Sequence, residues 1–430
     1  MHLGIEKLIY GGEGLSRLAA DEHGPGKSVF VPFVLEGEKV EATLTEQKPG
    51  FARARLESVL NPSSDRIQPA CPYFQRCGGC HYQHTKYEHQ LEIKSAILRE
   101  TLKRTAKIEL PCELQVHASP PWNYRNRTRL KIRTTPDFAL GYYKFRSHDL
   151  LPIEQCPISS PLINRSIGAL WSRGRAGEIP DSVREIELFA NDTDSQLFIE
   201  IYCAHGTTRA DAEKICESVR QSLPGIEGVV GFEVSRPGQI DDPKKLAEAG
   251  ENFLVYHLGS HNYAVSAGAF FQVNRFLVDD LVKAVTGGAS GGLALDLYAG
   301  VGLFSTPLAE GFAQVIAVEA SQTSHRDLRH NAPPEVKAVR ATTAQFLAKG
   351  SGQCPDFVVA DPPRDGLGEN VVRSLVKLGA PRMTYVSCDP STLARDLRTL
   401  VNSGYRIEEA HLLDLFPQTF HIESVFHLAR

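Results

Sequence analysis

The chain has 430 residues, of which 42% are hydrophobic and 23% are charged, so it is long enough for two or three ordinary folded domains. Its net charge of −4 excludes a uniformly basic protein, although a local basic patch can still bind nucleic acid. The sequence contains no apolar run of membrane-spanning length and no N-terminal secretory signal. We therefore expect a cytoplasmic protein with no membrane association, no obligatory protein partner and, by default, a monomeric state.

Residues 1–60 are predicted to form a small β-barrel of the OB-like type. Short strand patterns, clearest at Ser28–Val31 and Lys39–Leu44, alternate with glycine turns. Barrels of this size often bind RNA, and a purely structural β-module is the alternative reading of this segment.

A cysteine cluster follows the barrel. Of the nine cysteines, Cys71, Cys77 and Cys80 lie close together, and Cys156 stands far downstream before a proline. Four thiolates suit either a [4Fe-4S] cluster or a tetrahedral zinc ion, and their spacing alone does not choose between the two. The run from Cys77 to His81 also matches a haem-attachment pattern, which the missing export signal disfavours.

Residues 61–260 are predicted to form an α+β domain that carries this cluster. An amphipathic pattern over about 86–107 indicates a helix, which can pack on the catalytic domain, and a second helix is predicted near 209–223. Basic residues are concentrated between Arg99 and Arg133. Within that run, residues 124–129 interleave aromatic, amide and basic groups, which indicates either an RNA-contacting strand or a salt-bridged surface.

Residues 261–430 repeat a pattern of strand, glycine turn and helix, which predicts a doubly wound, Rossmann-like α/β domain. A buried strand that ends near Asp296 leads into the Gly300–Gly302 turn and an apolar helix, and the next strand ends in Glu319, at the usual distance for a ribose-binding carboxylate. Asp296 either meets the cofactor amine or braces the glycine loop. A third strand delivers Asp361, followed by two prolines, to the same edge.

A fourth strand of this domain ends at Cys388. Asp389 can cap the following helix and Pro390 suits its first turn, so the thiol stands beside a helix N-terminus, where we expect the thiolate form to be favoured. The alternative is that Cys388 is one more small buried residue.

Five motifs of the chain resemble one family: the bacterial RNA uracil-5-methyltransferases, and most closely those that methylate 23S rRNA and carry an iron–sulfur cluster. These motifs are Phe270-Phe271-Gln272-Val273-Asn274, Asp296-Leu297-Tyr298-Ala299-Gly300-Val301-Gly302, Asp361-Pro362-Pro363-Arg364, Ser387-Cys388-Asp389-Pro390 and His421-Ile422-Glu423-Ser424-Val425.

The resemblance implies a role for each motif. It makes Cys388 the nucleophile and Glu423 the proton acceptor, and it makes the barrel an RNA-binding TRAM domain. It further implies that S-adenosylmethionine is contacted by Gln272, Tyr298, Glu319 and Asp361, and that a [4Fe-4S] cluster is held by Cys71, Cys77, Cys80 and Cys156.

The chemistry of uracil requires such a pair of residues. C5 of uracil is too weak a nucleophile to take a methyl group until a thiolate adds at C6, and a base must then remove the C5 proton. His421 competes with Glu423 for the role of base. We expect methylation of a uridine in RNA, with 23S rRNA as the expected target; the alternatives are methylation of the tRNA uridine-54 type, RNA cytosine-5 methylation, and a non-catalytic RNA-binding iron–sulfur protein or redox sensor.

Overall fold

The structure is a computed structural model, and it describes residues 1–18, 26–223, 225–234, 243–350 and 353–430. Within these ranges, no helix is long and apolar enough to cross a membrane. The chain folds into three β-sheets that carry most of the core, together with one short two-stranded ribbon.

The N-terminal sheet closes into a barrel. Its six strands follow the spatial order β1-β5-β6-β4-β3-β2, so β1 and β2 are its two edges, yet only Ile5 and Glu6 separate them along the chain. Because so short a connection joins opposite edges, the sheet must curl until they meet. The strands are β1 (His2–Gly4), β2 (Lys7–Ile9), β3 (Glu13–Leu18), β4 (Lys27–Pro32), β5 (Lys39–Gln47) and β6 (Phe51–Asn61).

The segment between the barrel and the middle sheet packs against the C-terminal sheet. Helix α1 (Tyr87–Thr101) continues as one π-helical turn, and strand β7 (Leu114–His117) pairs in parallel with a C-terminal strand, Arg406–Leu413. The Lys94 ammonium of α1 forms a fully buried ion pair of 2.5 Å with Asp414 and also donates to the Phe416 carbonyl. Removing one partner of such a pair costs about 3–5 kcal/mol, so the helix is firmly attached to the loop that starts at Asp414.

The middle sheet has seven strands in the order β10-β9-β8-β11-β12-β13-β14, with two helices packed on it. Its elements are β8 (Arg127–Arg133), β9 (Ala139–Tyr143), β10 (Leu150–Pro152), α2 (Pro161–Arg175), β11 (Val183–Ala190), β12 (Leu197–Cys203), α3 (Arg209–Arg220), β13 (Ile226–Glu233) and β14 (Lys245–Gly250). A two-stranded ribbon of β15 (Phe253–Leu258) and β16 (His261–Ser266) leads to the C-terminal sheet.

The C-terminal sheet has eight strands in the order β19-β18-β17-β20-β21-β23-β22-β7, and β23 runs antiparallel to both of its neighbours. Its elements are α4 (Val278–Thr286), β17 (Gly291–Leu297), α5 (Ser305–Leu308), β18 (Phe312–Glu319), α6 (Gln322–Asn331), β19 (Val336–Arg340), α7 (Thr343–Lys349), β20 (Phe357–Ala360), α8 (Gly368–Leu378), β21 (Arg382–Ser387), α9 (Pro390–Asn402), β22 (Arg406–Leu413) and β23 (Glu423–Ala429). The strand order reverses between β17 and β20, and ligands of open α/β sheets bind at such a switch point.

The sequence predicts this sheet well. The strands that end at Glu319 and before Asp361 and Cys388 lie where the apolar runs place them, and the capped helix after Cys388 spans Pro390–Asn402. The helix expected after the Gly300–Gly302 turn is only four residues long.

Candidate active site and cysteine cavity

The predicted site residues of the C-terminal domain stand side by side at one edge of the sheet. Glu319 ends β18, Tyr298 follows β17, Asp361 follows β20, and Cys388 follows β21. Because these strands are parallel and adjacent, their carboxyl ends meet at the same edge. Glu423 begins β23, and the antiparallel direction of that strand brings its first residue to this edge as well.

Cys388 and Glu423 face each other across two neighbouring strands. Ser387 pairs with Ser424 in the register of β21 and β23, so the next residue of one strand and the preceding residue of the other lie opposite. The Ser424 hydroxyl donates to the Ser387 carbonyl at 3.2 Å and holds the two ends together. The geometry therefore places a thiol beside a buried carboxyl group.

The thiol of Cys388 is harder to ionise than the sequence predicts. Burial raises its pKa to about 12, helped by the neighbouring Glu423 and Asp361 carboxyls and opposed by Arg364. In the unliganded protein, burial and the two carboxyls therefore outweigh any stabilisation of the thiolate by the helix N-terminus. The Asp389 carboxylate itself accepts from the amides of Ser391 and Thr392, at 2.8 and 3.1 Å, and so takes the hydrogen bonds of the helix start.

The two candidate bases differ in how readily they bind a proton. Burial raises the pKa of Glu423 well above its ordinary value, and the nearby Asp361 raises it further. Burial and the Arg364 guanidinium lower the pKa of His421 to about 3. Nδ1 of His421 also lies 3.4 Å from Nη2 of Arg364. The guanidinium can therefore donate to the lone pair of this nitrogen. Of the two, Glu423 is the stronger base.

Glu319 organises the two loops that follow β17 and β18. Its carboxylate accepts from the amide of Gly300 at 2.9 Å and from that of Ser321 at 2.6 Å, so the two loops after β17 and β18 are bound to one side chain. Gly302 has a φ of +95°, and a Cβ there would lie 2.9 Å from Leu328, so this turn needs a glycine. Each carboxylate oxygen keeps a second lone pair, which suits a ribose hydroxyl.

Tyr298 and Asp296 carry signs of a functional site. Tyr298 has a φ of +68°, a left-handed backbone that costs of order 1–3 kcal/mol for a residue other than glycine. Asp296 is buried and accepts from the Ser305 hydroxyl, but its Oδ1 has no hydrogen-bond partner. Burial raises the pKa of Asp296 to about 7, and it raises the pKa of Asp361 to about 7 as well. Asp296 therefore bonds to Ser305 at the start of α5, beyond the glycine loop that it was expected to brace, and it keeps one oxygen free.

Gln272 lies on the segment that connects the ribbon to α4. Gln272 is buried, whereas Phe270 is 66% exposed, the largest exposure among the large apolar side chains of the described residues. Asn274 donates to the carbonyl of Leu415 at 3.1 Å and to the Ser119 hydroxyl at 2.9 Å, which fixes this segment to the loop before Glu423.

Tyr10 is a contact of the site that the sequence reasoning missed. Its hydroxyl, on the N-terminal barrel, donates to the backbone carbonyl of Cys388 at 3.2 Å, and its ring packs edge-on against Phe420 at 5.5 Å. No local pattern marks this tyrosine, because the contact depends on how the barrel docks on the catalytic sheet.

The four cysteines of the predicted cluster line a single cavity of about 340 Å³ in the middle domain. The Arg125 side chain also lines it, and Nε of this guanidinium is buried without a hydrogen-bond partner. Burial raises the pKa of Cys71 and Cys80, and raises that of Cys77 to about 11. A metal centre bound in this cavity would convert its thiols to thiolates.

The basic strand after residue 124 is a salt-bridged surface rather than a free RNA-contacting strand. The Tyr124 side chain is buried and its hydroxyl donates to the Pro417 carbonyl. Three of the four cations of β8 are paired with carboxylates of β11 and β12: Arg127 with Glu187 and Glu200, Arg129 with Glu187, and Lys131 with Glu185.

Known proteins share both the sequence and the fold of this chain. Residues 348–430 match the tRNA (uracil-5-)-methyltransferase family, and residues 3–56 match the TRAM domain. The chain is 33% identical over 432 residues to an uncharacterized RNA methyltransferase of Aquifex aeolicus. This alignment covers 99% of this chain and 97% of the relative. It is also 33% identical over 439 residues to the 23S rRNA (uracil(1939)-C(5))-methyltransferase RlmD of Halomonas elongata, covering 99% and 88% of the two chains.

Among solved structures, the tRNA (uracil-54, C5)-methyltransferase of Pyrococcus abyssi in complex with S-adenosyl-L-homocysteine has the same fold. The TM-score is 0.78, the identity is 24%, and the match covers 100% of both chains. The chain belongs to the RNA uracil-5-methyltransferase family. It is an S-adenosylmethionine-dependent RNA methyltransferase with an N-terminal TRAM domain and a C-terminal methyltransferase domain, so these three predictions are confirmed.

Proposed function

We propose that this enzyme methylates C5 of one uridine in 23S rRNA through a covalent bond between the Cys388 sulfur and C6 of the base. The observation that carries the proposal is the register of β21 and β23, which sets Cys388 opposite Glu423 at the edge where Glu319 organises the cofactor loops. A nucleophile, a base and a nucleoside site then lie in one row.

The chain's own residues account for each bond that changes. Once the Cys388 thiol has released its proton to solvent, the thiolate adds to C6 and pushes electron density onto C5, which becomes nucleophilic. S-adenosylmethionine, when bound, supplies the methyl group as an electrophile on its sulfonium centre. Glu423 then takes the C5 proton, the bond between sulfur and C6 breaks, the C5–C6 double bond forms again, and Cys388 is released.

The raised pKa of Glu423 supports this role. A general base works best when its pKa is near the working pH, and burial moves Glu423 in that direction. The pKa of His421 is shifted the opposite way, to about 3, so this ring has little affinity for a proton at neutral pH. We therefore assign proton removal to Glu423 and keep His421 as a neutral neighbour of Arg364.

S-adenosylmethionine fits the loops at the β17–β20 switch point. Glu319 would bind its ribose hydroxyls, and Tyr298 and Asp361 would border it at the carboxyl ends of β17 and β20. Gln272 is buried in the segment that Asn274 fixes to the Leu415 carbonyl, and we propose it as the fourth contact.

The cavity in the middle domain fits a [4Fe-4S] cluster better than a zinc ion. Four thiolates around one zinc at about 2.3 Å lie about 3.8 Å from one another, whereas a cluster binds each sulfur to a different iron and keeps the sulfurs farther apart. Among the described residues, one group of three metal-ligand side chains has its ligand atoms within 4.8 Å of one another. This group contains no cysteine. Cys71, Cys77, Cys80 and Cys156 would hold the cluster, which supplies a rigid crosslink, and the Arg125 guanidinium would offset its negative charge.

RNA binding draws on the barrel and on an exposed aromatic ring. TRAM and related barrels bind RNA, and an exposed ring such as Phe270 offers a surface on which an unstacked base can pack. We place the target in 23S rRNA because relatives that are 33% and 31% identical over nearly the whole chain carry that name. A cytoplasmic location stays a prediction.

Trapping with 5-fluorouridine tests the mechanism. RNA that contains 5-fluorouridine should form a stable covalent adduct with the protein, because fluorine cannot leave as a proton. An adduct whose crosslinked peptide lacks Cys388 would overturn the assignment.

Mapping of the product tests the target. Nucleotide-resolution mapping of 5-methyluridine in total RNA, with and without the gene, should show loss of one site in 23S rRNA. Loss at position 54 of tRNA would replace the proposed target by the tRNA alternative. Loss of 5-methylcytidine instead would replace it by cytosine methylation.

A further inference from the structure

Three side chains of the metal-ligand type converge on the C-terminal sheet outside the catalytic row. One ligand atom from each of Glu409, His411 and His427 lies within 4.8 Å of the others. Glu409 is directly opposite His427 in the register of β22 and β23, and His411 is two residues farther along β22, so all three share one face. We propose that this group, the Glu409 triad, is a binding site for a divalent transition metal ion, with Zn²⁺ as the expected ion.

The His411 ring presents an unsatisfied nitrogen to the triad. Its side chain is 8% exposed, and its Nε2 is buried with no hydrogen-bond partner, 3.5 Å from the nearer Glu409 oxygen. Its Nδ1 lies 3.0 Å from Nε2 of His117, so one of these two nitrogens donates to the other. If His411 donates through Nδ1, its Nε2 lone pair points into the triad. A buried polar atom without a partner is costly, and a metal ion would satisfy it.

The His427 ring is oriented by a backbone carbonyl. Its Nε2 lies 2.7 Å from the carbonyl oxygen of Ala284, which can only accept, so Nε2 carries the proton and Nδ1 carries the lone pair. The Thr384 hydroxyl lies 3.0 Å from this Nδ1. A bound ion would replace the hydroxyl. Metal-binding histidines usually donate their other N–H to a carbonyl or a similar acceptor, and both histidines of the triad have such a partner.

The donor set selects the class of ion. Two imidazoles and one carboxylate are the ligands of many zinc sites that keep a fourth position open, whereas Ca²⁺ and Mg²⁺ prefer sites made of oxygen atoms. The Glu409 side chain is 59% exposed, so an ion can enter from solvent.

The position of the site indicates a structural role. Counted along β23, His427 is four residues from Glu423, about 13 Å at the rise of a β-strand, so a bound ion would not touch the reacting atoms. The ion would instead join β22 to β23 and, through Ala284, to α4. It would thereby stabilise the pairing of β22 with β23, the strand that begins at Glu423.

Titration with Co²⁺ tests the proposal on protein purified without oxygen, with any metal centre at the cysteines in place. We expect one equivalent to bind and to give visible ligand-field bands of nitrogen and oxygen ligands, without the intense charge-transfer bands of thiolate ligands. Zn²⁺ should displace the Co²⁺ and raise the unfolding temperature. Replacing His117 by Phe should weaken binding about 10- to 100-fold, because this residue only orients His411.

Two variants decide the outcome. Glu409→Gln alters an exposed side chain, so it should fold, and it should bind Co²⁺ at least as weakly as the His117 variant. Glu92→Gln is its matched control, since this exposed carboxylate also pairs with a histidine, His89 at 2.9 Å, and it should bind like the wild type. Unchanged affinity in Glu409→Gln, thiolate charge-transfer bands, or no binding by the wild type would each overturn the proposal.

Discussion

The two cysteine sites of this protein differ in the charges around the sulfur atoms. At the sheet edge, the Cys388 sulfur lies beside the Glu423 and Asp361 carboxyls. These carboxyls raise the pKa of the thiol in addition to the larger effect of burial. In the middle domain, four sulfurs face one cavity with the Arg125 guanidinium. Burial disfavours the thiolate at both sites, but a metal centre can supply a permanent positive charge only where several thiols converge.

The difference fits the two roles that we propose for cysteine in this protein. A thiol that must stay ionised needs a lasting cation, which the proposed metal centre would supply in the cavity. A thiol that attacks and then leaves needs to ionise only while the substrate is bound, so its resting pKa can be high. Arg364 lowers the pKa of Cys388 and so opposes the two carboxyls. Five experiments test this contrast.

The largest effect is expected from replacing one cysteine of each site in separate variants. Cys388→Ala should abolish methylation and the 5-fluorouridine adduct while iron content stays unchanged, because the two sites share no ligand. Cys80→Ala should lose the iron. Iron analysis and gel-shift detection of the adduct measure both. Cys354→Ser, on an exposed thiol, is the control that should keep both properties; iron loss in Cys388→Ala would contradict the separation of roles.

Replacing the proposed base should trap the reaction midway. Glu423→Gln should slow release of the methylated RNA by about 10²- to 10⁴-fold, so that a covalent complex with ordinary uridine RNA accumulates. Denaturing gels and mass spectrometry of the crosslinked peptide detect it. His421→Gln should have a much smaller effect, since that ring has little affinity for a proton. If the complex accumulates in the His421 variant instead, the two roles are reversed.

The rate of Cys388 alkylation should depend steeply on pH. Because its pKa is raised to about 12, the thiolate fraction should rise about tenfold per pH unit across the neutral range. Iodoacetamide labelling followed by peptide mass spectrometry measures this rate. Asp361→Asn should accelerate labelling and Arg364→Gln should slow it, because the first removes a negative charge and the second a positive one. A pH-independent rate would show that the thiolate already predominates.

The carboxyl-rich edge should also make stability depend on pH. Asp296 has an ordinary pKa of 3.8 and a folded-state pKa of about 7, so the folded protein holds a proton that the unfolded chain releases between these values. Its contribution is present below about pH 4 and is lost as the pH rises through about 7. Denaturant midpoints should therefore fall with pH more steeply in the wild type than in Asp296→Asn. Equal slopes would contradict the raised pKa.

The smallest effect is expected from the barrel contact. Tyr10→Phe removes the hydroxyl that donates to the Cys388 carbonyl and keeps the ring against Phe420. A hydrogen bond of this kind contributes about 0.5–1.5 kcal/mol, so adduct formation should slow by no more than about tenfold. Single-turnover kinetics with 5-fluorouridine RNA measure it. A loss as large as that of Cys388→Ala would mean that the barrel, too, is part of the chemistry.

Much of the catalytic sheet could be predicted from sequence because its signals are local. Apolar runs of strand length end at Glu319, before Asp361 and before Cys388, and parallel strands bring such ends to one edge. The helix cap at Asp389 could also be predicted from the sequence, because a capping side chain bonds to amides only two and three residues away. The four predicted cluster cysteines do line one cavity, although their spacing alone did not indicate the metal.

The sequence by itself determined the motifs that identify the family. It also determined which residues lie at the ends of the strands, and hence the row that holds Cys388 and Glu423. Only the tertiary structure decided their protonation, because burial and neighbouring charges outweigh the helix start at Cys388. It also neutralised the basic strand by pairing Arg127 with Glu187 and Glu200, and it brought Tyr10 to a carbonyl 378 positions away. The physical reason is the same in each case: burial and ion pairing depend on segments that meet only when the domains pack together.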